Sequence, residues 1–139
     1  MNPTSILAPM VAVVGLTFAV LLVIPYERFK AAREGRVTAN DFKSGESDQV
    51  PPEVTIPNRN LMNLLEMPLL FYVACLTLYV TGKVDAVAVY LAWFYFGLRA
   101  AHSLIHLTYN KVFHRLTAFA ASNAVLLVLW VRLFFALSR

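Results

Sequence analysis

The sequence predicts an all-α integral membrane protein, a four-helix bundle forming a single domain over residues 1–139. Three observations carry that prediction. The chain is 59% hydrophobic and only 14% charged, with a mean hydropathy of +0.63, well to the apolar side of a soluble domain. It contains four apolar segments, each near the roughly 20 residues that cross a hydrocarbon core. One long polar connection and two short turns separate them.

The first span covers about residues 5–26. No Lys or Arg precedes it and it is long, so it reads as a retained span and not a cleaved signal. Its helix is expected to continue past the membrane to about Gly35. The connection over residues 27–60 holds charges of both signs, including Arg28, Lys30, Arg33, Arg36 and Lys43. After the helix it is expected to be irregular, stiffened near its end by Pro51, Pro52 and Pro57. The second span, about residues 61–80, contains Pro68, expected to bend it close to Glu66. Gly82 and Lys83 make a tight turn into the third span, about residues 84–107. Asn110 to His114 turn into the fourth, about residues 116–137, with Asn110 expected to cap the preceding helix. Tyr79, Tyr90 and Trp130 suit interface anchoring or packing, and Trp93 packing.

An even number of spans puts both termini on one side. The first and third connections lie opposite and carry most of the Lys and Arg, which assigns them to the cytoplasm of an inner or cell membrane. The net charge of +4 therefore reflects topology. The basic residues are not massed into a patch, so nucleic acid is not an expected partner. The lone Cys75 permits neither an internal disulfide nor a cysteine metal cluster.

Two polar stripes interrupt the apolar spans. Arg59, Asn63 and Glu66 are spaced by four and then three residues; Arg99, His102 and His106 by three and then four. Both spacings put side chains on one helix face. A charge near mid-bilayer costs about 2.5–3.5 kcal/mol on the insertion scale, so such residues face a partner, a ligand or water. By the expected topology both stripes, with Arg115, converge in the cytoplasmic half. Two readings fit. One is a structural ion pair of Glu66 with Arg99 or Arg59. The other is a pocket for a small zwitterion with excess negative charge, its carboxylates held by arginines and its ammonium by Glu66. The surplus of Arg59, Arg99, Arg115, His102 and His106 over one acid favours the second. His102 and His106 also have the spacing of a metal pair, but too few further ligands stand nearby to complete a shell, so no metal is expected. Ser103 is expected to bond its own helix backbone, and Asn123 a neighbouring helix.

The pattern Arg59-x-x-x-Asn63-x-x-Glu66, followed by Arg99-x-x-His102-x-x-x-His106 and then Arg115, resembles the MAPEG superfamily, the membrane-associated proteins of eicosanoid and glutathione metabolism. The resemblance spans essentially the whole chain. It implies a homotrimer with glutathione, as thiol cosubstrate, bound between subunits, and a lipophilic second substrate arriving from the membrane lipids. Carried over residue by residue, Arg59, Asn63, Glu66, His102 and His106 match glutathione-binding positions. Arg28, or alternatively Lys30, matches a basic contact late in the first helix. Arg115 matches the catalytic arginine beside the sulfur. Arg99 matches a buried arginine with a structural or substrate-side role.

The chain departs from the eicosanoid synthases at three positions. Met67 stands where the leukotriene-forming synthase has Tyr, His106 where Tyr is common, and Leu116 where the prostaglandin synthase has Ser, with Thr117 one residue off that face. The departures argue against either eicosanoid reaction and leave a glutathione transferase or peroxidase, serving conjugation or detoxification. The superfamily also contains a member that binds lipid without turnover, so a non-catalytic lipid-binding or scaffold protein is the alternative. A proton-coupled transporter is a third class. The polar residues gather in one half of the spans and suggest a dead-end pocket, which disfavours it.

Overall fold

The computed structural model describes residues 2–138. After a short 3-10 turn at Pro3–Ile6, helix α1 runs over Leu7–Arg33, α2 over Pro52–Val80, α3 over Ala86–Leu107 and α4 over Val112–Leu137. A second 3-10 turn, Ala39–Phe42, interrupts the long connection. Among the described residues there is no β-strand.

Helix α2 starts well before the apolar segment it contains. Pro52 occupies its first turn, where a missing N–H costs nothing, and Glu53 complements the positive helix end. The prolines expected to stiffen a loop therefore begin and join a helix, and Pro57 and Pro68 both lie inside it. The last turn of α1 ends as expected near Gly35, whose positive φ of 69° lets the Arg36 N–H reach back to the Ala31 carbonyl at 2.9 Å. Gly82, with φ 66°, closes α2 in the same way, the Lys83 N–H meeting the Leu78 carbonyl at 3.0 Å.

Three stretches are long and apolar enough to cross a membrane: Pro3–Arg33, Pro52–Val80 and Val112–Leu137. Helix α3 has the length but not the apolarity, because Arg99, His102 and His106 sit in its second half. Like α2, it packs on all three other helices, while α1 and α4 do not meet. Ala88 and Ala92 on α3 are buried and let neighbouring backbones approach. Tyr95 stacks on Phe71 of α2 with ring centroids 4.4 Å apart, and Leu126, Leu129 and Leu133 close the core from α4. The charged centre of α3 is thus shielded by the helices around it. Phe18, Leu22, Leu65, Phe94, Leu127 and Phe134 are exposed on the outer faces, as side chains meeting lipid must be. Trp93 belongs to that outer set and not to the packed interior, whereas the Trp130 indole donates to the Leu70 carbonyl at 3.2 Å.

The long connection is more ordered than its composition suggests. Ala31, Val37, Val50 and Val54 form a small core of their own, with Phe42 packed against it. Arg28 stacks over the Phe42 ring at 4.4 Å and pairs with Glu46 at 3.2 Å. Thr38 and Asp41 make a reciprocal cap on the 3-10 turn, with the Thr38 N–H donating to Asp41 Oδ2 at 2.7 Å. That bond, with a second from the Thr38 hydroxyl, holds the Asp41 carboxyl below the usual carboxylate range. Its stabilisation is therefore complete above the ordinary carboxylate pKa and is lost as pH falls through the lowered value. Limited proteolysis between residues 37 and 50 is expected to accelerate on acidification. Asp41→Asn is expected to be cut readily at neutral pH and to lose that pH dependence.

Candidate functional site

At the end where α2 begins and α3 ends, a cleft of about 310 Å³ opens among α2, α3 and α4. Arg59 and Asn63 of α2, His102 and His106 of α3, and Arg115 of α4 line it. One protomer therefore brings together five residues singled out in the sequence. Val112, Leu116 and Phe119 complete the wall. With Arg115 they form a stripe at positions i, i+3, i+4 and i+7 along α4, a single helical face. Val112 and Leu116 are also exposed, so the apolar wall continues onto the outer surface of the bundle.

The α3 stripe is the deeper of the two. Arg99, His102 and His106 are all buried, because they occupy the face that α3 turns toward α2 and α4. The Nδ1 atoms of both histidines are buried without a partner. Each ring therefore has only its Nε2 edge to offer a ligand. A buried acceptor without a partner is less costly than a buried donor without one, which favours the ring proton on Nε2 and makes both rings donors toward the cleft. Ring centroids 5.7 Å apart leave no histidine–histidine hydrogen bond.

Arg99 does not line the cleft. It lies behind it, fully buried, its guanidinium 5.5 Å from the centre of the Phe119 ring. Its Nη2 donates to the Asn63 backbone carbonyl. That carbonyl adjoins Leu64, whose own carbonyl lacks a helical donor because Pro68 has no N–H. Arg99 thus ties α3 to α2 where the α2 ladder is weakest, and it orients Asn63 and Phe119, which both line the cleft. Its Nε and Nη1 have no partner.

Arg115 is held from outside the helix. Its Nη1 donates to Asn110 Oδ1 at 2.7 Å. Asn110 caps α3 as expected, its N–H meeting the Ile105 carbonyl at 2.8 Å. It adopts a left-handed backbone with φ 47°, a conformation Asn tolerates. One residue therefore ends α3 and aims the arginine of α4. Asn110 was legible as a cap; its grip on Arg115 was not, since the four intervening residues fix no geometry until the turn is known.

Other placements differ from expectation. Glu66 is exposed on α2, outside the cleft, and forms no ion pair among the described residues. Neither Arg28 nor Lys30 lines the cleft; both border grooves on the α1 side, and Arg28 is engaged by Glu46. The inward face of α2 instead presents Asn60, fully buried, which accepts from the Ser103 hydroxyl at 3.2 Å. Ser103 thus bonds across helices and not within its own. The Asn123 side-chain oxygen is buried with no partner. Thr117 turns away and donates to the His114 carbonyl at 2.9 Å, leaving Leu116 at the cleft. Among the described residues no three His, Cys, Asp or Glu side chains gather as a metal site.

None of the cleft-lining side chains is acidic. The polar wall consists of two guanidiniums, an amide and two imidazoles, beside an apolar wall that reaches the lipid-facing surface. Such a cleft can hold an anionic group with several acceptor oxygens, or a thiolate, next to a lipophilic molecule. A family model described as the MAPEG family matches residues 6–135, nearly the whole chain. No curated protein and no solved structure matches the chain.

Proposed function

The chain belongs to the MAPEG family, and from that premise we propose that it is a membrane-bound thiol transferase or peroxidase using glutathione or a related peptide thiol. The observation that carries the reading is the acid-free, cation-rich cleft of Arg59, Asn63, His102, His106 and Arg115 opening beside exposed Val112 and Leu116. Family membership and three apolar helices make this a multi-pass membrane protein with a glutathione-related or eicosanoid-metabolism role. The choice of transferase or peroxidase is our proposal, as are a site facing the cytoplasm and a homotrimer. An ionisable Glu66 exposed on a membrane helix supports the trimer, since lipid alone is a poor neighbour for it.

The chemistry follows from charge. A free thiol has a pKa near 8.5, so only a few per cent is thiolate at neutral pH. Arg115 beside the sulfur favours the anion, and Arg59 with the amide of Asn63 holds peptide carboxylate and carbonyl oxygens. In conjugation the sulfur bonds to an electrophilic carbon, and the displaced or opened group takes up the proton the thiol released. In hydroperoxide reduction two thiols become one disulfide, while the peroxide becomes an alcohol and water. The apolar wall of Val112, Leu116 and Phe119 admits the lipophilic partner from the bilayer.

Titration calorimetry of the detergent-solubilised protein with glutathione tests the reading. Saturable heat is expected. Arg59→Ala is expected to weaken binding roughly tenfold, the worth of one charge-assisted hydrogen bond. No heat and no thermal shift at millimolar thiol would sink the transferase reading and leave the lipid-binding alternative.

A further inference from the structure

We propose that Asn60 is a positioning residue: its buried amide, clamped by Ser103, keeps the ring proton of His106 on Nε2, so that the imidazole offers a hydrogen-bond donor to the ligand in the cleft. The inference rests on the thiol reading above and adds to it a residue that stands behind the cleft wall and not in it.

A neutral imidazole has two ring nitrogens and donates from only one of them. Arg59 and Arg115 share the cleft with His106, and a neutral ring spares them a third positive charge. Which nitrogen then holds the proton is set by what faces the nitrogen turned away from the ligand. For His106 that nitrogen is Nδ1, buried and without a partner.

Asn60 approaches it from α2. Arg99 meets Asn63, and one turn on Ser103 meets Asn60, so α2 and α3 run antiparallel with Asn60 and Ser103 at one level. Side chains lean toward the start of their own helix. His106, one turn past Ser103, leans back toward it. Asn60 leans the opposite way, toward the level of His106. The two side chains therefore converge inside the α2–α3 contact. His102 turns instead toward α4, its ring centre 5.7 Å from that of Phe119.

The amide has two unlike edges, and Ser103 decides which one is left over. Its hydroxyl takes Asn60 Oδ1 at 3.2 Å. The remaining edge is the Nδ2 group, buried and without a partner. An orphaned donor on α2 and an orphaned acceptor on α3 are complementary. A donor edge turned to Nδ1 stabilises the bare nitrogen and opposes a proton there, and the sign is the same across one ordered water. The ring proton is left on Nε2, at the cleft. Asn60, Ser103 and His106 are all buried within one protomer, so this arrangement is complete without a neighbouring subunit.

Heteronuclear NMR of the detergent-solubilised protein with isotope-labelled histidine tests the proposal, because protonated and bare ring nitrogens resonate apart. The chain has three histidines, and His106→Gln assigns the relevant signals. Without ligand, wild-type His106 is expected to hold its proton on Nε2 by roughly tenfold over Nδ1, the worth of one hydrogen bond. Asn60→Asp exchanges the donor edge for an acceptor and is expected to bring a proton to Nδ1. Ser103→Ala frees the amide to present either edge and is expected to leave the two tautomers comparable; it carries the test if the aspartate variant does not fold. A protonated Nδ1 in wild type, a bare Nδ1 in folded Asn60→Asp, or the wild-type ratio in Ser103→Ala overturns the proposal. Saturating wild type with glutathione is expected to shift the His106 Nε2 signal. Calorimetric binding without that shift overturns the role of the ring while the thiol reading stands. No binding at all sinks the thiol reading, and the ligand-free spectra alone then decide whether Asn60 sets the tautomer.

Discussion

Replacing Arg115 with alanine is expected to leave glutathione bound but largely protonated at sulfur. If the guanidinium lowers the thiol pKa by about two units from 8.5, the bound ligand is mostly thiolate at neutral pH, and without it about 3%. The ultraviolet thiolate absorbance of the complex should therefore fall roughly 25-fold at pH 7. The loss should shrink as pH rises through about 8.5, where the thiol ionises unaided. Turnover should fall less than the absorbance, because a thiolate of higher pKa is the stronger nucleophile. Asn110→Gly removes the 2.7 Å bond to Arg115 while accepting the left-handed backbone. It should give an intermediate thiolate signal with no loss of affinity. Wild-type absorbance in Arg115→Ala would show that another group ionises the sulfur.

The second large effect is on stability. Arg99→Ala is expected to lower stability by about 3–5 kcal/mol, as for other large side chains cut to alanine in a packed interior. It empties a fully buried volume and removes the tie to the Asn63 carbonyl. Arg99→Met makes the contrast. It fills most of the space without a charge that has two unpartnered nitrogens, and replacing buried charge by packed apolar groups is often neutral or stabilising. The methionine variant should therefore melt within a few degrees of wild type and still bind thiol. A stable methionine variant that binds thiol but no longer turns over would move Arg99 to the substrate side. An alanine variant that melts like wild type would show that the α2–α3 tie carries no stability.

Much of this was readable from spacing. The residues Arg99, His102 and His106 fall on one helical face whatever the surrounding fold, so the meeting of the two histidines with Arg115 across a short turn followed from the period of the helix and the length of the turn. The α2 stripe was harder. Asn60 and Asn63 are three apart, and hydropathy alone does not say which of two adjacent faces turns inward. Packing decides it: Val54, Pro57, Asn60, Leu64, Pro68 and Phe71 are buried, which leaves Arg59 and Glu66 at the edge. The connection over residues 34–51 misled for a different reason. Its composition is that of a loop, and the few valines that order it are too far apart in sequence to show a period. They make sense only once the end of α1 and the start of α2 lie side by side.

The composition of α3 bears on how the chain enters a bilayer during synthesis. Three of the helices are apolar enough to partition on their own; this one carries a guanidinium and two imidazoles and is not. It follows α2 through the tight bend at Gly82, and Arg99 already has its acceptor on that helix. The pair is therefore suited to leave the translocation machinery together as a hairpin, with α2 shielding the polar side of α3 until α4 emerges to cover the rest.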